Sequence, residues 1–362
     1  DVASGSYKAL PGGDAFLVLK NKADQLVWKN SACRLYDIGD GIAGFEWNSK
    51  MNSIGGEVLE GLNKAINISE EKFNGLVIAN EGPNFSAGAN VGMIFMLAIE
   101  QEYDDHLDAI AEASRHRPPM TLRVNNIRNE RDTYLSLLTD AGLSAHPHDH
   151  LCDGITLQQP VDVTSLPGFF DGLVSVQDGA AQRVADLINP QPDERILDAC
   201  AAPGGKACHL LERQPGLKEL VACDASANRL QRVVDNTERL GLTSTVIEAD
   251  ARTLPSEIVS PGFDAILADV PCSATGVMRR NPDIKILRRT VDIRQFAEQQ
   301  LAILQGLWPA LKPGGRLLYV TCSILEAEND AVVKAFAQQH KVQIMSIVME
   351  RGISRDVGWQ VM

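Results

Sequence analysis

The feature that most constrains the fold of this chain is an alternation of short apolar segments and longer amphipathic ones in its second half. Apolar runs predict strands at 194–198, 220–223, 245–248, 263–268 and 316–320. The longer segments predict helices at 225–240, 293–311 and 326–339. Strands that alternate with helices form a parallel sheet with helices on both faces, so this part of the chain is predicted to be an α/β, doubly wound, Rossmann-like sheet.

Polar residues follow these strands at the edge where such sheets bind ligands. The first strand runs into the sequence ACAAPGGK at 199–206, whose two glycines let the backbone pass close to a ligand. Asp224 ends the second strand, where a carboxylate can accept both hydroxyls of a ribose. Asp250 follows the third strand, in a place to meet an adenine amino group, and Asp269 follows the fourth. Together these residues predict a nucleotide site.

The seven cysteines are scattered and include no CxxC pair, so they are predicted to be free thiols. Two of them come directly after predicted strands, which makes Cys272 and Cys322 candidates for chemistry. The others are expected to be buried as small apolar residues: Cys33, Cys152, Cys200, Cys208 and Cys223.

A short segment also holds residue types that bind metals. The candidates are His146, His148, Asp149, His150 and Cys152. Alternate residues of a strand share a face, which would bring some of these side chains together. The segment has the character of a connector within a small domain, and no metal is predicted.

The net charge of −13 argues against a protein that coats nucleic acid, but the charge is unevenly distributed. Between residues 278 and 294, six basic residues stand against two acidic ones, beside the Cys272 loop. Phosphates would bind there, and the candidates are Arg279, Arg280, Lys285, Arg288 and Arg289. A second basic stretch consists of Arg115, Arg117, Arg123, Arg128 and Arg131. A solvated charged surface is the alternative for both.

The sequence also predicts where the protein resides. The longest apolar run, 91–99, is much shorter than the roughly eighteen residues that a membrane helix needs. No basic and apolar leader precedes the first predicted strand. We expect a cytoplasmic monomer with no membrane partner.

Several motifs of the second half occur together and in order: ILDACAAPGGK at 196–206, DASANR at 224–229, ADVPCSATG at 268–276, RRNPDIK at 279–285 and YVTCS at 319–323. Over about residues 107–362 the chain resembles the S-adenosylmethionine-dependent RNA cytosine-5 methyltransferases, of the bacterial 16S ribosomal RNA methyltransferase B type. The resemblance implies methylation of cytosine carbon 5 in RNA, with ribosomal RNA as the expected substrate.

The chemistry of that family needs a thiolate, because carbon 5 of cytosine is a poor nucleophile until a nucleophile has added to carbon 6. The resemblance assigns this addition to Cys322 and the later release of the enzyme to Cys272. It places Asp269 against the base and gives Lys206 the task of holding this carboxylate or the cofactor loop.

The resemblance also implies a set of residues that bind S-adenosylmethionine: Ala201, Ala202, Pro203, Gly204, Gly205, Lys206, Asp224, Arg229, Asp250 and Asp269. For Lys206 and Arg229, a salt bridge of purely structural value is the alternative.

The first part of the chain has a different pattern. A hairpin at 32–38 and 42–47, a helix at 54–66 and a strand at 76–79 lead into the loop NFSAGANVGM. This order resembles a piece of the crotonase (enoyl-CoA hydratase) superfamily, in which the N–H at Ala87 would help bind a thioester oxyanion. The second oxyanion donor and the glutamate pair of that family are missing.

We therefore expect a crotonase-like ββα fragment at 1–105, a small α+β RNA-binding subdomain at 106–175 and the methyltransferase domain at 176–362. Two alternatives to an RNA methyltransferase stay open. One is an acyl-CoA hydratase that uses the first segment, and the other is a catalytically dead RNA-binding chimera.

Overall fold

The computed structural model describes residues 24–48, 54–78, 116–281, 283–284 and 288–361. The chain divides into two compact units, residues 1–101 and residues 102–362. Three of the residues singled out in the sequence, Ala87, Arg115 and Lys285, lie outside the described ranges. Within those ranges, every helix is too short or too polar to cross a lipid bilayer.

The first unit contains a mixed sheet covered by one helix. Its strands are β1 (Leu26–Lys29), β2 (Cys33–Gly39), β3 (Ile42–Trp47) and β4 (Gly75–Ile78), and helix α1 spans Gly56–Lys72. In the described residues the strand order is β1-β2-β3-β4, with β4 parallel to β3 and the other pairs antiparallel. The predicted hairpin, helix and strand are all present at these places.

The second unit begins with a small antiparallel sheet. Its elements are β5 (Met120–Val124), α2 (Arg131–Asp140), β6 (Ala145–Pro147), β7 (Gly154–Leu157) and β8 (Val174–Val176). The strand order is β6-β7-β5-β8, and Tyr134 and Leu138 of α2 are fully buried against it. One helix packed on an antiparallel sheet is an α+β arrangement.

The larger part of this unit is a parallel sheet in the order β11-β10-β9-β12-β13. The strands are β9 (Arg195–Asp198), β10 (Glu219–Asp224), β11 (Thr245–Glu248), β12 (Phe263–Asp269) and β13 (Leu311–Val320). The helices are α3 (Gly179–Ile188), α4 (Gly205–Arg213), α5 (Ala227–Leu240), α6 (Ser256–Val259), α7 (Thr290–Leu307) and α8 (Asp330–Gln339). A hairpin of β14 (Ile353–Arg355) and β15 (Gly358–Gln360) follows.

The parallel sheet is buried on both faces, which explains its continuous apolar strands. Apolar residues of α3, α4 and α5 form one core with it, and those of α7 and α8 form the other. The predicted α/β class is confirmed. Two helix boundaries differ from the prediction, because short 3₁₀ turns at Trp308–Ala310 and Glu326–Glu328 take the residues where a longer helix was expected.

A buried arginine, Arg123, links the small sheet to helix α4, which packs on the parallel sheet. Arg123 of β5 is 1% exposed and forms two hydrogen bonds, of 2.7 and 2.9 Å, with the carboxylate of Glu212 on α4. It also donates to Gln177 and to the carbonyl oxygen of Gly205. The expectation that Arg123 belongs to an exposed RNA-binding stretch was therefore wrong, because its charge is satisfied inside the protein.

We predict that Arg123→Met lowers the free energy of unfolding by about 3–5 kcal/mol, because it leaves the Glu212 carboxylate buried without a partner. The double variant Arg123→Met/Glu212→Leu should recover much of this loss, since it removes both charges. Urea unfolding of the whole chain, followed by circular dichroism, measures both. A loss below about 1 kcal/mol in the single variant would contradict the interpretation, because exposed ion pairs contribute that little.

Candidate functional site

The candidate site lies at the carboxyl ends of the parallel strands. The strand order reverses between β9 and β12, and in open α/β sheets ligands bind in the crevice at such a reversal. The residues that follow β9, β10, β12 and β13 therefore converge on one edge.

The glycine turn after β9 is held close to the neighbouring elements. Gly204 has a φ of +100°, a conformation that glycine adopts without strain, and a Cβ there would lie 3.1 Å from the Cα of Val233 on α5. The N–H of Ala201 donates to the carbonyl oxygen of Cys223 at 2.8 Å, which ties the turn to β10. Ala202 and Pro203 complete the turn, and α4 begins at Gly205.

Asp224 is almost fully buried at the end of β10. Its carboxylate accepts hydrogen bonds from the backbone N–H groups of Ser226 at 3.1 Å and Ala202 at 3.4 Å. Arg229 lies 3.5 Å from the same carboxylate and donates to the carbonyl oxygen of Ala202 at 3.1 Å. Asp224 and Arg229 thus brace the glycine turn from the side of β10.

Asp250 lies beyond the end of β11 and has a partner of its own. Arg252 donates to both of its carboxylate oxygens, at distances down to 2.6 Å. These hydrogen bonds lower the pKa of Asp250. A ligand that bound this carboxylate would compete with Arg252.

Lys206 and Asp269 meet in the crevice, as expected from the sequence. The ammonium of Lys206 lies 2.5 Å from the Asp269 carboxylate. Burial opposes the charge on Lys206, but Asp269 outweighs this effect and the pKa of Lys206 is raised. Lysine therefore stays charged beside the carboxylate that it holds.

Asp198, at the end of β9, was not identified from the sequence as a functional residue. It is 1% exposed, and neither of its carboxylate oxygens has a hydrogen-bond partner. Burial and the nearby charge of Asp269 raise its pKa to about 7. A buried carboxyl without a partner is costly and points to a ligand-binding crevice. An acidic residue that ends an apolar strand directly before a glycine turn was the available signal.

The two cysteines singled out from the sequence lie side by side. The sulfur atoms of Cys272 and Cys322 are 3.3 Å apart, although the residues are 50 positions apart in the chain. The hydrogen bond between the thiols lowers the pKa of Cys322, and Lys206 contributes in the same direction. The same hydrogen bond and burial raise the pKa of Cys272. Of the two thiols, Cys322 is therefore the one whose ionisation the surroundings favour.

The cysteine loops touch elsewhere too. The N–H of Gly276 donates to the carbonyl oxygen of Cys322 at 2.8 Å. A Cβ at Gly276 would lie 2.8 Å from that oxygen, so only glycine fits without a shift. This contact fixes the Cys272 loop against the Cys322 loop.

The other cysteines lie mostly where the sequence placed them. Cys33, Cys208 and Cys223 are buried and Cys200 is partly buried. The expectation was wrong for Cys152, which is exposed and accepts a hydrogen bond from Arg213 at 3.3 Å. Its segment is a surface turn, which leaves the thiol at the surface.

The first basic cluster is largely engaged with the protein itself. Arg279 donates to the carbonyl oxygens of His116 and Arg117, which leaves its charge uncompensated by a carboxylate. Arg280 pairs with Asp178 at 2.6 Å. Arg288 donates to the carbonyl oxygen of Ser273 at 2.8 Å. Arg289 precedes α7 at its N-cap.

Two arginines of the second basic stretch, Arg128 and Arg131, also bond to the protein itself. Arg128 donates to the carbonyl oxygen of Asp171 at 2.7 Å, and Arg131 to that of Leu151 at 3.2 Å. Among the described residues, no group of three or more His, Cys, Asp and Glu side chains could hold a metal ion. His150 instead lies 2.5 Å from the carboxylate of Glu350.

The fold and this site define a class. The parallel sheet with helices on both faces has the Rossmann-like α/β fold of S-adenosylmethionine-dependent methyltransferases. A methyltransferase homologue from Pyrococcus horikoshii superimposes with a TM-score of 0.64 at 26% identity, over 75% of this chain and 86% of that one. NSun6 from the same organism, solved with an S-adenosylmethionine analogue, gives 0.64 at 20% identity, over 74% and 91%.

Family comparison narrows the class. Residues 185–361 match the 16S rRNA methyltransferase RsmB/F model, and residues 95–164 match a ferredoxin-like domain of the RsmF/B-like methyltransferases. Over this part, the chain is similar to the RsmB/F family of 16S rRNA methyltransferases.

Curated relatives agree with the family match. Ribosomal RNA small subunit methyltransferase B of Pseudomonas syringae pv. tomato is 51% identical over 239 residues, which are 66% of this chain and 53% of the relative. The Pseudomonas putida protein of that name is 47% identical over 266 residues, 73% and 61%. The chain thus spans between half and two thirds of the length of these relatives.

The comparisons do not support the crotonase-like resemblance of residues 1–105. The ferredoxin-like match begins at residue 95, inside that fragment. A hairpin followed by a helix and a strand is a common arrangement, and the described part of the front unit contains nothing more specific to that superfamily. The loop that carried the resemblance, 84–93, lies outside the described residues.

We predict that Cys272→Ala raises the pKa of Cys322, because it removes the thiol that donates to the Cys322 sulfur. Alkylation of Cys322 by iodoacetamide, followed by mass spectrometry across a pH series, should shift its midpoint to higher pH. Cys208→Ala removes another buried cysteine and serves as the matched control. An unchanged or lower midpoint in Cys272→Ala would contradict the assignment of donor and thiolate.

Proposed function

We propose that this protein methylates carbon 5 of cytosine in RNA, with 16S ribosomal RNA as substrate and S-adenosylmethionine as methyl donor. The observation that carries the proposal is the pair of thiols, 3.3 Å apart, beside the Lys206–Asp269 ion pair at the sheet crevice. A reactive thiolate, its proton donor and a held carboxylate are the groups that this chemistry needs.

The residues of the crevice fit the methyl donor. Asp224 suits the ribose hydroxyls and Asp250 the adenine, while the turn 201–205 passes close to the remainder. The two unpartnered oxygens of Asp198 leave acceptor capacity next to this turn. When bound, S-adenosylmethionine supplies an electrophilic methyl group on a sulfonium sulfur.

Cys322 acts as the nucleophile in this proposal. Its thiolate adds to carbon 6 of the cytosine ring, and the electrons displaced make carbon 5 nucleophilic. Asp269 hydrogen-bonds the base and supports protonation of the ring nitrogen during the attack. Lys206 holds that carboxylate in place through the 2.5 Å ion pair.

Cys272 acts after the methyl group has arrived. The proton on carbon 5 passes to Cys272, once this thiol has lost its own proton to solvent water. The electrons of that C–H bond re-form the ring double bond as the bond between Cys322 sulfur and carbon 6 breaks, which returns Cys322 as a thiolate. The family resemblance assigns this release to the Pro-Cys cysteine, and Cys272 lies next to Cys322. Without it the covalent adduct between protein and RNA would persist.

The RNA would lie along the arginines beside the Cys272 loop. Arg279, Arg288 and Arg289 have no carboxylate ion pair among the described residues, so their charges remain available to phosphates. Arg280 is partly neutralised by Asp178, and Lys285 completes the proposed cluster. The proposed domains are the fragment 1–105, the RNA-binding subdomain 106–175 and the methyltransferase domain 176–362. A monomeric cytoplasmic protein without a membrane partner agrees with this function.

We predict that the full chain transfers the methyl group of labelled S-adenosylmethionine to unmodified ribosomal RNA, with the label on cytosine carbon 5. Cys322→Ala should abolish transfer, because the ring is then never activated. Cys272→Ala should leave a protein–RNA adduct that survives denaturing electrophoresis. Cys152→Ala, which removes an exposed thiol that has no role in the proposed mechanism, is the control.

Full activity in Cys322→Ala would overturn the mechanism. Binding of RNA or S-adenosylmethionine without any transfer would favour the dead RNA-binding alternative. Turnover of crotonyl-CoA, assayed in parallel, would favour the hydratase alternative.

A further inference from the structure

The buried carboxylate of Glu328 is hydrogen-bonded to the residues that follow the two cysteines, and it has no role in the proposed methyl transfer. Glu328 is 0% exposed and ends the 3₁₀ turn Glu326–Glu328 between β13 and α8. Among the described residues, none forms an ion pair with it. Burial of an unpaired carboxylate is costly unless several hydrogen bonds compensate for it.

Those hydrogen bonds come from residues adjacent to each cysteine. The N–H of Ser273 donates to one carboxylate oxygen of Glu328 at 2.8 Å, and the Ser273 hydroxyl donates to the other. The hydroxyl of Ser323 donates to that second oxygen at 2.6 Å. Ser273 follows Cys272 and Ser323 follows Cys322, so one carboxylate joins both cysteine loops.

Two more side chains hold Glu328 in place, one through its carboxylate and one through its backbone carbonyl. The amide of Gln300, on α7, donates to Glu328 at 3.1 Å and to the carbonyl oxygen of Pro271 at 3.0 Å. The hydroxyl of Tyr319 donates to the Glu328 carbonyl oxygen at 2.6 Å and to Gln300 at 3.0 Å. Glu328 is therefore held by Tyr319 of β13 and Gln300 of α7, in addition to its hydrogen bonds with the two cysteine loops.

We propose that Glu328 is a positioning residue, which holds the Cys272 and Cys322 loops so that their sulfur atoms stay at hydrogen-bond distance. The inference rests on the proposed methyltransferase function. Misplacement of a reacting group by about 1 Å can cost a hundredfold in rate, so the spacing of the two thiols matters to the reaction. Among the described residues, the carboxylate has no hydrogen bond to either thiol, and it acts through Ser273, Ser323 and Gln300.

The test compares Glu328→Ala and Glu328→Gln with Glu212→Gln, which alters an equally buried carboxylate that is bonded to Arg123 instead. The first measurement is the pH midpoint of Cys322 alkylation by iodoacetamide in the folded chain. The second is kcat and KM for methyl transfer to ribosomal RNA. Circular dichroism shows which variants are folded.

We expect Glu328→Ala to move the alkylation midpoint up by about one pH unit, because Cys272 no longer reaches the Cys322 sulfur. The kcat should fall by about 100-fold, with KM for S-adenosylmethionine unchanged. Glu328→Gln keeps the shape and one acceptor oxygen and should show smaller changes of the same sign. Glu212→Gln should leave the alkylation midpoint where it is.

If Glu328→Ala does not fold, the double variant Ser273→Ala/Ser323→Ala takes its place, since it removes both hydroxyl contacts and leaves the carboxylate. A folded Glu328 or serine variant with an unchanged midpoint and kcat would overturn the proposal, as would an equal shift in Glu212→Gln. Alkylation needs no RNA and no methyl donor. Absence of methyl transfer in the unaltered chain would therefore refute the proposed function while the positioning role is still tested by the midpoint.

Discussion

Burial of the parallel sheet on both faces is the constraint on which the rest of this unit depends. Helices cover β9 and β12 from either side, so most interior positions of these strands are apolar. The polar side chains of the crevice lie where the strands end. The reversal of strand order between β9 and β12 then brings those ends together, which concentrates acids, a lysine and two thiols in one crevice.

The crevice holds its charges in different ways. Lys206 and Asp269 stabilise each other as an ion pair, and Glu328 is surrounded by hydrogen-bond donors. Asp198 has no ion-pair partner among the described residues, and burial together with the nearby charge of Asp269 raises its pKa. A buried carboxyl whose pKa is raised in this way is typical of functional sites.

Much of this was predictable from the sequence, because apolar strands and strand-end residues are local features. The five parallel strands were predicted from their apolar runs, and Cys272, Cys322 and Asp269 from their positions just beyond the ends of those runs. The role of Lys206 came from the family resemblance. The links made by Arg123 and Glu328 were not predictable. Arg123 bonds to Glu212, 89 positions away, and Glu328 to Ser273, 55 positions away, and contacts so distant in sequence leave no local pattern. The exposure of Cys152 depends on the course of a turn, which composition does not determine.

The junction made by Arg123 has a consequence for how freely the parts of this unit can be exchanged. The small sheet contributes the arginine, and α4 of the parallel-sheet layer contributes the glutamate. A hybrid that took its small sheet from another protein would retain Glu212 and lose the guanidinium that is hydrogen-bonded to it, unless the donor sheet carried an arginine at the same position. The small sheet can therefore be exchanged without loss only for a sheet that has an arginine in the place of Arg123.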